Sequence, residues 1–262
     1  MIDEWDLTQT NLGRLEGRAP EVAILTTAAI EPHNRHLPEG QDYLHATHVS
    51  RSVAERAHAA GAPVIWLPAI PFGVDSNLRD FPIAVHVSQR TLDAMLEEII
   101  ASLAGYGIRK VLIINGHGGN DFTPFVRDLQ GRIDTHVFAC DWWTVGSDRY
   151  DTIFSHAEDH AGEMETSVAL ALFPHLVEMQ RAGDGIATPF RFEALRRGWV
   201  KTSRRFSRLN DHCAVGIPGE SSADKGRAYL DLVIERLTQF VVQLAGARID
   251  DRFPMGDTDE PP

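Results

Sequence analysis

Acidic and imidazole side chains cluster in three separate stretches of the sequence. The first holds Glu31 and His33, followed by Asp42, the second runs from residue 115 to 120, and the third from 156 to 167. Carboxylate oxygens and imidazole nitrogens together bind divalent cations such as zinc, manganese and iron. The first stretch therefore predicts a metal site. A helix-capping Asp42 beside surface Glu31 and His33 is the structural alternative.

The second stretch, Asn115-Gly-His-Gly-Gly-Asn120, presents one histidine among three glycines. Gly116, Gly118 and Gly119 permit tight turns and close approach of the backbone, and so present His117 at the end of an apolar strand. A phosphate-binding loop is the competing interpretation. The stretch contains neither Gly-x-Gly-x-x-Gly nor Gly-Lys-Ser/Thr, which argues against that interpretation.

The third stretch places several titratable side chains directly before an apolar helix. Glu163 and Glu165 diverge on a helix, because residues two apart do not face each other. One of them is therefore predicted to be a ligand, and the other a first-turn charge that the helix dipole favours. The sequence leaves open which is which. His160 has no evident capping role, which favours a chemical one.

The elements around these stretches alternate between strands and helices. Strands are predicted at 22–30, 64–70, 110–115 and 135–143, and helices at 42–60, 89–104, 122–130, 161–173 and 223–244. This alternation predicts an α/β fold, a three-layer α/β/α sandwich with a mainly parallel central sheet. Ligands of such sheets bind beyond the carboxyl ends of the strands, where the polar stretches lie. One domain is expected over 1–262, with about 246–262 as a flexible tail.

The composition excludes several classes of function. A formal charge of −12 over 262 residues argues against a nucleic-acid partner, which needs a basic face. The sequence has no apolar run of about 18 residues, so no membrane partner is expected. It opens with no signal-peptide pattern, and its two cysteines fit no disulfide or zinc spacing. These features predict a soluble, cytoplasmic protein.

Together the three stretches resemble the signature segments of the creatininase (creatinine amidohydrolase) family. The matching segments are Glu31-Pro-His33, His36-Leu-Pro, Asp42, Asn115-Gly-His-Gly-Gly-Asn120, His160-Ala-Gly-Glu-Met-Glu165-Thr-Ser167 and the aromatic-glycine segment Phe72-Gly-Val. The resemblance spans roughly Val22 to the final helix. It implies an α/β/α sandwich, a binuclear metal centre and a homo-oligomer, commonly a homohexamer.

The resemblance also implies roles for the matching residues. The implied metal ligands are Glu31, His33, Asp42, His117 and Glu165. Glu31 and His117 would bind one ion and His33 the other, with Asp42 bridging two divalent ions (Zn²⁺, Mn²⁺ or Fe²⁺). His160 stands at the position of the family's catalytic histidine. Creatininase has a further glutamate ligand where this chain has Gly119, so the second site is expected to be weaker, or completed by water or another carboxylate.

The implied reaction is hydrolysis of a C–N bond, other than a peptide bond, in a small-molecule substrate, a cyclic or small amide, by a metal-activated water. Glu165 or Glu163 would take the proton of that water, and His160 would give one to the departing nitrogen. A deformylase, peptidase or lactonase on the same metal site is a second hypothesis. A non-catalytic metal- or ligand-binding protein is a third.

Aromatic and glycine residues near the polar stretches are candidates for substrate binding. They are Phe72, Gly118, Gly119, Trp142 and Trp143. Core packing is the alternative role for the aromatic residues. The basic stretch 191–208 stands out in an acidic chain, and it predicts either solvated surface, an anion-recognising lid or a subunit contact.

Overall fold

The computed structural model describes residues 3–256, in which four strands form one parallel sheet. The strands are β1 (Val22–Thr27), β2 (Val64–Trp66), β3 (Lys110–Asn115) and β4 (His136–Asp141). They lie in the order β2-β1-β3-β4, and every neighbouring pair is parallel. The predicted parallel sheet is therefore confirmed.

Helices cover the sheet in the alternation that the sequence predicted. Those longer than one turn in the described residues are α1 (Gln41–Ala59), α2 (Gln89–Gly105), α3 (Phe122–Leu129), α4 (Glu163–Leu172) and α5 (Ala223–Gly246). The hydroxyl of Ser88 caps α2 by accepting from the amide of Thr91 at 3.3 Å, as expected for serine at this position.

Alternate residues of the central strands enter two separate cores. Val22 and Ile24 of β1 belong to a buried cluster with residues of α1, α4 and α5. Ala23 and Leu25 belong to a second cluster with residues of α2 and α3. Side chains on a strand alternate between its two faces, so the two clusters are the two interfaces of a three-layer α/β/α sandwich.

Three strands are shorter than the sequence predicted. Strand β1 was predicted at 22–30 and ends at Thr27. Strand β2 ends at Trp66, and the chain that passes through Pro68 pairs with β1 again only at a single bridge between Ile70 and Thr27. Strand β4 ends at Asp141, because the chain turns into a single 3₁₀ turn at Trp142. By contrast, β3 spans the predicted residues, as a contiguous apolar run buried on both faces should.

The remaining segments connect these elements. The region 183–219 is largely irregular, with one α-helical turn at Glu193–Arg196 and a 3₁₀ turn at Phe206–Arg208. In the expected tail, the centre of the Phe253 ring lies 6.2 Å from that of Phe138 on β4. The rest of that tail, 257–262, lies outside the described residues. Among residues 3–256 no helix is long and apolar enough to cross a bilayer.

Candidate metal centre

The polar stretches meet at the carboxyl edge of the sheet, where β1 and β3 lie side by side. The last pair in their register joins Thr27 to Asn115, so the chain leaves both strands at the same level. Glu31 and His33 lie on the loop after β1, and His117 follows β3. Residues far apart in sequence are thereby brought to the edge at which parallel sheets bind ligands.

Asp42 lies at the centre of the cluster, in the first turn of α1 and 3% exposed. Its Oδ1 is 3.0 Å from Nε2 of His33. Its Oδ2 is 3.0 Å from Nδ1 of His117. One carboxylate therefore lies between two imidazoles and presents one oxygen to each, which is the arrangement of a group that can bridge two cations.

Two overlapping sets of donor atoms share this carboxylate. Oε1 of Glu31 lies 3.1 Å from Nδ1 of His117, and Oε2 of Glu165 lies 3.8 Å from Nε2 of His33. Within each set the donor atoms lie within 4.8 Å of one another, and the sets are Glu31, Asp42, His117 and His33, Asp42, Glu165. The structure thus brings all five residues of the predicted ligand set together.

Two polar atoms of the donor cluster are buried without a hydrogen-bond partner. They are Oε2 of Glu31 and Nε2 of His33, which have none among the described residues although Nε2 of His33 lies 3.0 Å from Oδ1 of Asp42. Burial raises the pKa of Glu31 to about 8, against the opposing influence of His117. Unpartnered buried donors of this kind are costly unless a cation compensates them. The residues therefore fit a centre for divalent ions.

The negative charge of the surrounding carboxylates shifts the pKa values of the two central histidines. Burial opposes the charged form of His33, but the carboxylates around it, Asp42 foremost, outweigh burial and raise its pKa to about 10. Glu31 and Asp42 likewise raise the pKa of His117 well above its usual value despite burial. Since the field favours positive charge at both imidazoles, it would also favour cations beside them.

His160 differs from these two histidines in its protonation. Burial, together with the charge of His33, lowers the pKa of His160 to about 3. Its Nε2 donates to the carbonyl of Pro32 at 2.8 Å, and its Nδ1 lies 3.8 Å from Oε1 of Glu31. His160 is therefore a neutral imidazole whose Nδ1 lone pair is available beside the donor cluster.

The structure distinguishes the two glutamates that the sequence left open. Glu163 is fully buried, accepts from the amides of Ser155 and His156 at 2.8 and 2.9 Å, and pairs with Lys225. Glu165 instead accepts from the amide of Ala161 at 2.6 Å and belongs to the second donor set. Glu163 thus anchors the start of α4, whereas Glu165 reaches the candidate centre.

A cavity of about 560 Å³ opens onto the donor cluster. Its lining includes the predicted residues Glu31, Asp42, His117, Gly118, Gly119, Trp143, His160 and Glu165. A site of this size can hold a small organic molecule or the end of a larger one.

Two aromatic residues predicted to contact substrate lie elsewhere. The ring of Trp142 is 2% exposed and packs edge-on against His45 and Trp143 in the core. Phe72 is 45% exposed and lines a separate apolar groove that also includes Met95. Their assignment to substrate binding is corrected accordingly. Trp142 and Trp143 are successive residues of the 3₁₀ turn after β4, and Trp143 reaches the cavity whereas Trp142 enters the core.

Two further carboxylates lie at the site, and one of them, Asp75, is outside the three polar stretches of the sequence. Asp75 is fully buried beside His117, and Glu158 lines the cavity while accepting from the amides of Met164 and Glu165. A carboxylate just after the aromatic-glycine segment was a usable signal for Asp75. Of the basic residues in 191–208, Arg204 lines the cavity, where it pairs with Asp159.

Comparison with known proteins gives a consistent match over nearly the whole chain. The family model for creatinine amidohydrolase, Creatininase, matches residues 5–241. The mycofactocin precursor peptide peptidase of Mycobacterium tuberculosis is 29% identical over 254 residues, covering 92% of this chain and 94% of the relative. The creatinine amidohydrolase of Pseudomonas putida is 29% identical over 183 residues, covering 62% and 68%.

A solved structure extends the likeness to the fold. The crystal structure of a Bacteroides fragilis protein assigned as a creatinine amidohydrolase superimposes with a TM-score of 0.87 at 34% identity. The match covers 96% of this chain and 100% of that one. The two chains therefore share one fold over nearly their whole length.

Proposed function

The chain belongs to the creatininase family of hydrolases, and on that premise we propose that it is a metal-dependent amidohydrolase that cleaves the C–N bond of a cyclic or small amide. The observation that carries the proposal is the position of Asp42, whose two oxygens each lie 3.0 Å from a different imidazole. A buried carboxylate shared between two sets of nitrogen and oxygen donors suits a pair of divalent cations.

The proposed ligands are the five residues that converge at the carboxyl edge of the sheet. Glu31 and His117 would hold one cation, His33 and Glu165 the other, and Asp42 both. When bound, such cations polarise an amide carbonyl and acidify water. The mixed donors suit zinc, manganese or iron(II).

His160 would carry the proton in this reaction. Its Nε2–H is fixed on the carbonyl of Pro32, so Nδ1 is the atom that accepts and later releases a proton. Because its pKa is lowered to about 3, the imidazole starts neutral, and the proton that it would give to the departing nitrogen is the one removed from the attacking water, passed to it directly or through Glu165. This refines the sequence-based hypothesis, in which His160 was only a donor.

The cavity supports a substrate of limited size. Its wall combines the donor cluster with Trp143, Tyr150 and Phe206, which supply apolar surface, and with Arg204 paired to Asp159. A compact amide could place its carbonyl against the donor cluster and its remaining atoms against the aromatic side chains.

Cleavage of a peptide is the second candidate function. It is favoured by the relative from Mycobacterium tuberculosis, a precursor-peptide peptidase that matches 92% of this chain, whereas the Pseudomonas putida relative matches 62%. Both reactions break a C–N bond beside a carbonyl, so the same donor cluster would serve either of them.

A substrate panel with metal-loaded protein separates the candidates. Zinc- or manganese-loaded protein is incubated with creatinine, other cyclic amides, formamides, lactones and short peptides, and products are identified by mass spectrometry. We expect turnover of a cyclic or small amide that a chelator abolishes and added metal restores. Cleavage of peptides alone would establish the second candidate. Bound metal without turnover on any compound would favour a binding protein.

A His160→Gln variant provides the matched control. It should keep the metal content of the wild type and lose turnover by about 10²- to 10⁴-fold, the range of a lost acid–base group. Loss of metal together with turnover would instead make His160 a ligand, a role for which its place near Glu31 and His33 offers a geometric basis.

The proposal includes a cytoplasmic homo-oligomer, a hexamer by family resemblance. Exposed apolar side chains in the irregular region, among them Ile186, Phe192 and Trp199, are the kind of surface that assembly buries. Light scattering coupled to size exclusion measures the mass directly, and a monomer of 29.1 kDa would contradict this part.

A further inference from the structure

Asp75 is the most isolated charged side chain next to the donor cluster. It is 0% exposed, and neither of its carboxylate oxygens has a hydrogen-bond partner among the described residues. Its Oδ1 nevertheless lies 3.1 Å from Nε2 of His117. A buried carboxylate without donors of its own is unfavourable, so its retention requires a compensating role.

The two ring nitrogens of His117 face different groups. Its Nδ1 faces Asp42 and Glu31, at 3.0 and 3.1 Å. Its Nε2–H is directed at the carbonyl of Val74 at 3.3 Å, with Asp75 immediately beside that carbonyl. Both acceptors on the Nε2 side favour a proton there, whereas a proton on Nδ1, which faces two carboxylates, is the one that a cation would replace.

Hydrogen bonds hold the loop that carries Asp75 against residues 115–120, the segment that contains His117. The side chain of Asn120 accepts from the amide of Val74 at 3.1 Å and donates to Asn115 at 3.0 Å. A Cβ built on Gly73 would lie 2.6 Å from the carbonyl of Ala28 and 2.9 Å from the ring of His117. The absence of a side chain at Gly73 thus lets the loop approach His117 closely.

We propose that Asp75 is the positioning residue for His117, holding the proton on Nε2 so that Nδ1 faces Asp42 and Glu31 as a metal ligand. An outer carboxylate that accepts from a ligating histidine fixes its tautomer and raises its basicity. The inference deepens the proposed function, because it rests on His117 being a ligand. It assigns a role to a residue that none of the three sequence clusters contains.

The test compares Asp75→Asn, which keeps the shape and removes the charge, with Asp6→Asn. Asp6 is also a buried carboxylate, 1% exposed, but it is fully bonded to Thr8, Gln9 and Arg51 and lies outside the donor cluster. Three quantities are measured on each purified full-length variant. They are the zinc dissociation constant by competition with a chelator, the melting temperature of the metal-free protein, and the Nε2–H resonance of His117, assigned by its absence in His117→Gln.

We expect Asp75→Asn to weaken zinc binding about 10- to 100-fold, the range for a lost outer partner. The Nε2–H resonance should move upfield and exchange faster, without a fall in metal-free melting temperature. Asp6→Asn should lower that melting temperature and leave zinc binding unchanged. The proposal is overturned if Asp75→Asn binds zinc like the wild type, or if the resonance is unaltered.

The resonance also separates this inference from the proposed function. It is measured without metal, so it decides the role of Asp75 even for a wild-type protein that turns over no substrate. Zinc binding and turnover by the wild type, combined with an unaltered resonance in Asp75→Asn, would remove the inference and leave the proposed function standing.

Discussion

Oδ2 of Asp42 lies 3.0 Å from Nδ1 of His117, although 75 residues separate the two in sequence. The contact exists because α1 begins beside the point where β3 ends. The backbone of Gly116 passes so close to α1 that a Cβ there would lie 2.5 Å from that of Ala46. The parallel pairing of β1 with β3 thereby converts two distant segments into one site.

The first prediction concerns this shared carboxylate. Asp42→Asn removes one ligand charge from both proposed cations at once, so metal content should fall at both sites. The loss of affinity should exceed the roughly 10- to 100-fold typical of an outer partner. Elemental analysis after dialysis and turnover of the identified substrate are the measurements.

Asp224→Asn is the matched control for that change. Asp224 also lies in the first turn of a helix, α5, but its side chain is 90% exposed. The control should retain both metal and turnover. If Asp42→Asn retained them as well, the proposed centre would be wrong.

The second prediction separates Glu163 from Glu165. Glu163→Gln weakens two hydrogen bonds to backbone amides and leaves Lys225 without its charged partner. The free energy of unfolding of this variant should fall by about 2–3 kcal/mol, the size of the loss when a hydrogen bond to a charged group is removed. Its metal content should be unchanged. Urea denaturation and elemental analysis measure the two effects.

Glu165→Gln should have the opposite effects on stability and on metal content. Burial raises the pKa of Glu165, so neutralising it relieves a cost in the metal-free protein. Metal should be lost, and metal-free stability should not fall. Metal loss in Glu163→Gln with full metal in Glu165→Gln would exchange the roles of the two residues.

Much of the fold could be predicted because hydrophobic pattern and burial agree. Strand β3 is a run of apolar residues covered on both faces, and such a run has no competing pattern. Strand ends were less predictable. The residues after Trp66 are as apolar as β2 itself, yet continuous pairing stops there and returns only at the bridge between Ile70 and Thr27, which the apolar pattern does not reveal.

The site was predictable to the extent that its residues follow strands. Glu31 and His117 stand directly beyond β1 and β3, so their meeting followed from a parallel sheet. Asp75 lies in a loop rich in Ser, Asn and Asp, where a carboxylate usually signals only a turn. Its isolation from hydrogen-bond donors becomes visible only once the loop is packed against His117.

The third prediction concerns the glycines beside His117. A Cβ built on Gly119 would lie 2.2 Å from the carbonyl of Val74 and 2.3 Å from Nε2 of His117. Gly119→Ala must therefore displace the ring or the loop, at a cost of about 1–3 kcal/mol as for other overpacked sites. Metal affinity should fall with it, and calorimetric titration with zinc is the measurement.

Gly118→Ala supplies the control, because a Cβ there would meet nothing within 4 Å. That variant should bind zinc and unfold like the wild type. Equal losses in both variants would point to backbone flexibility in place of the collision with His117.

The last prediction is a pH dependence of stability that arises outside the donor atoms. His45 is 1% exposed, with its ring 5.7 Å from that of Trp142 and 5.3 Å from that of Phe173. Burial lowers its pKa to about 3, with Asp42 acting weakly in the opposite direction. In the unfolded chain histidine titrates near 6.5, so between these values only the unfolded state binds the proton.

The free energy of unfolding must therefore fall as pH decreases from about 6.5 towards 3. One pKa unit corresponds to about 1.4 kcal/mol, so His45 alone should cost about 2 kcal/mol at pH 5. His45→Gln cannot take up the proton, and its loss of stability between pH 7.5 and 5 should be smaller by that amount. Urea denaturation of chelator-treated protein at several pH values measures the difference without interference from bound metal. His58→Gln is the control, on the same helix but partly open to water, and its stability should depend on pH as that of the wild type does. An unchanged pH dependence of stability in His45→Gln would show that another group is responsible for the acid sensitivity.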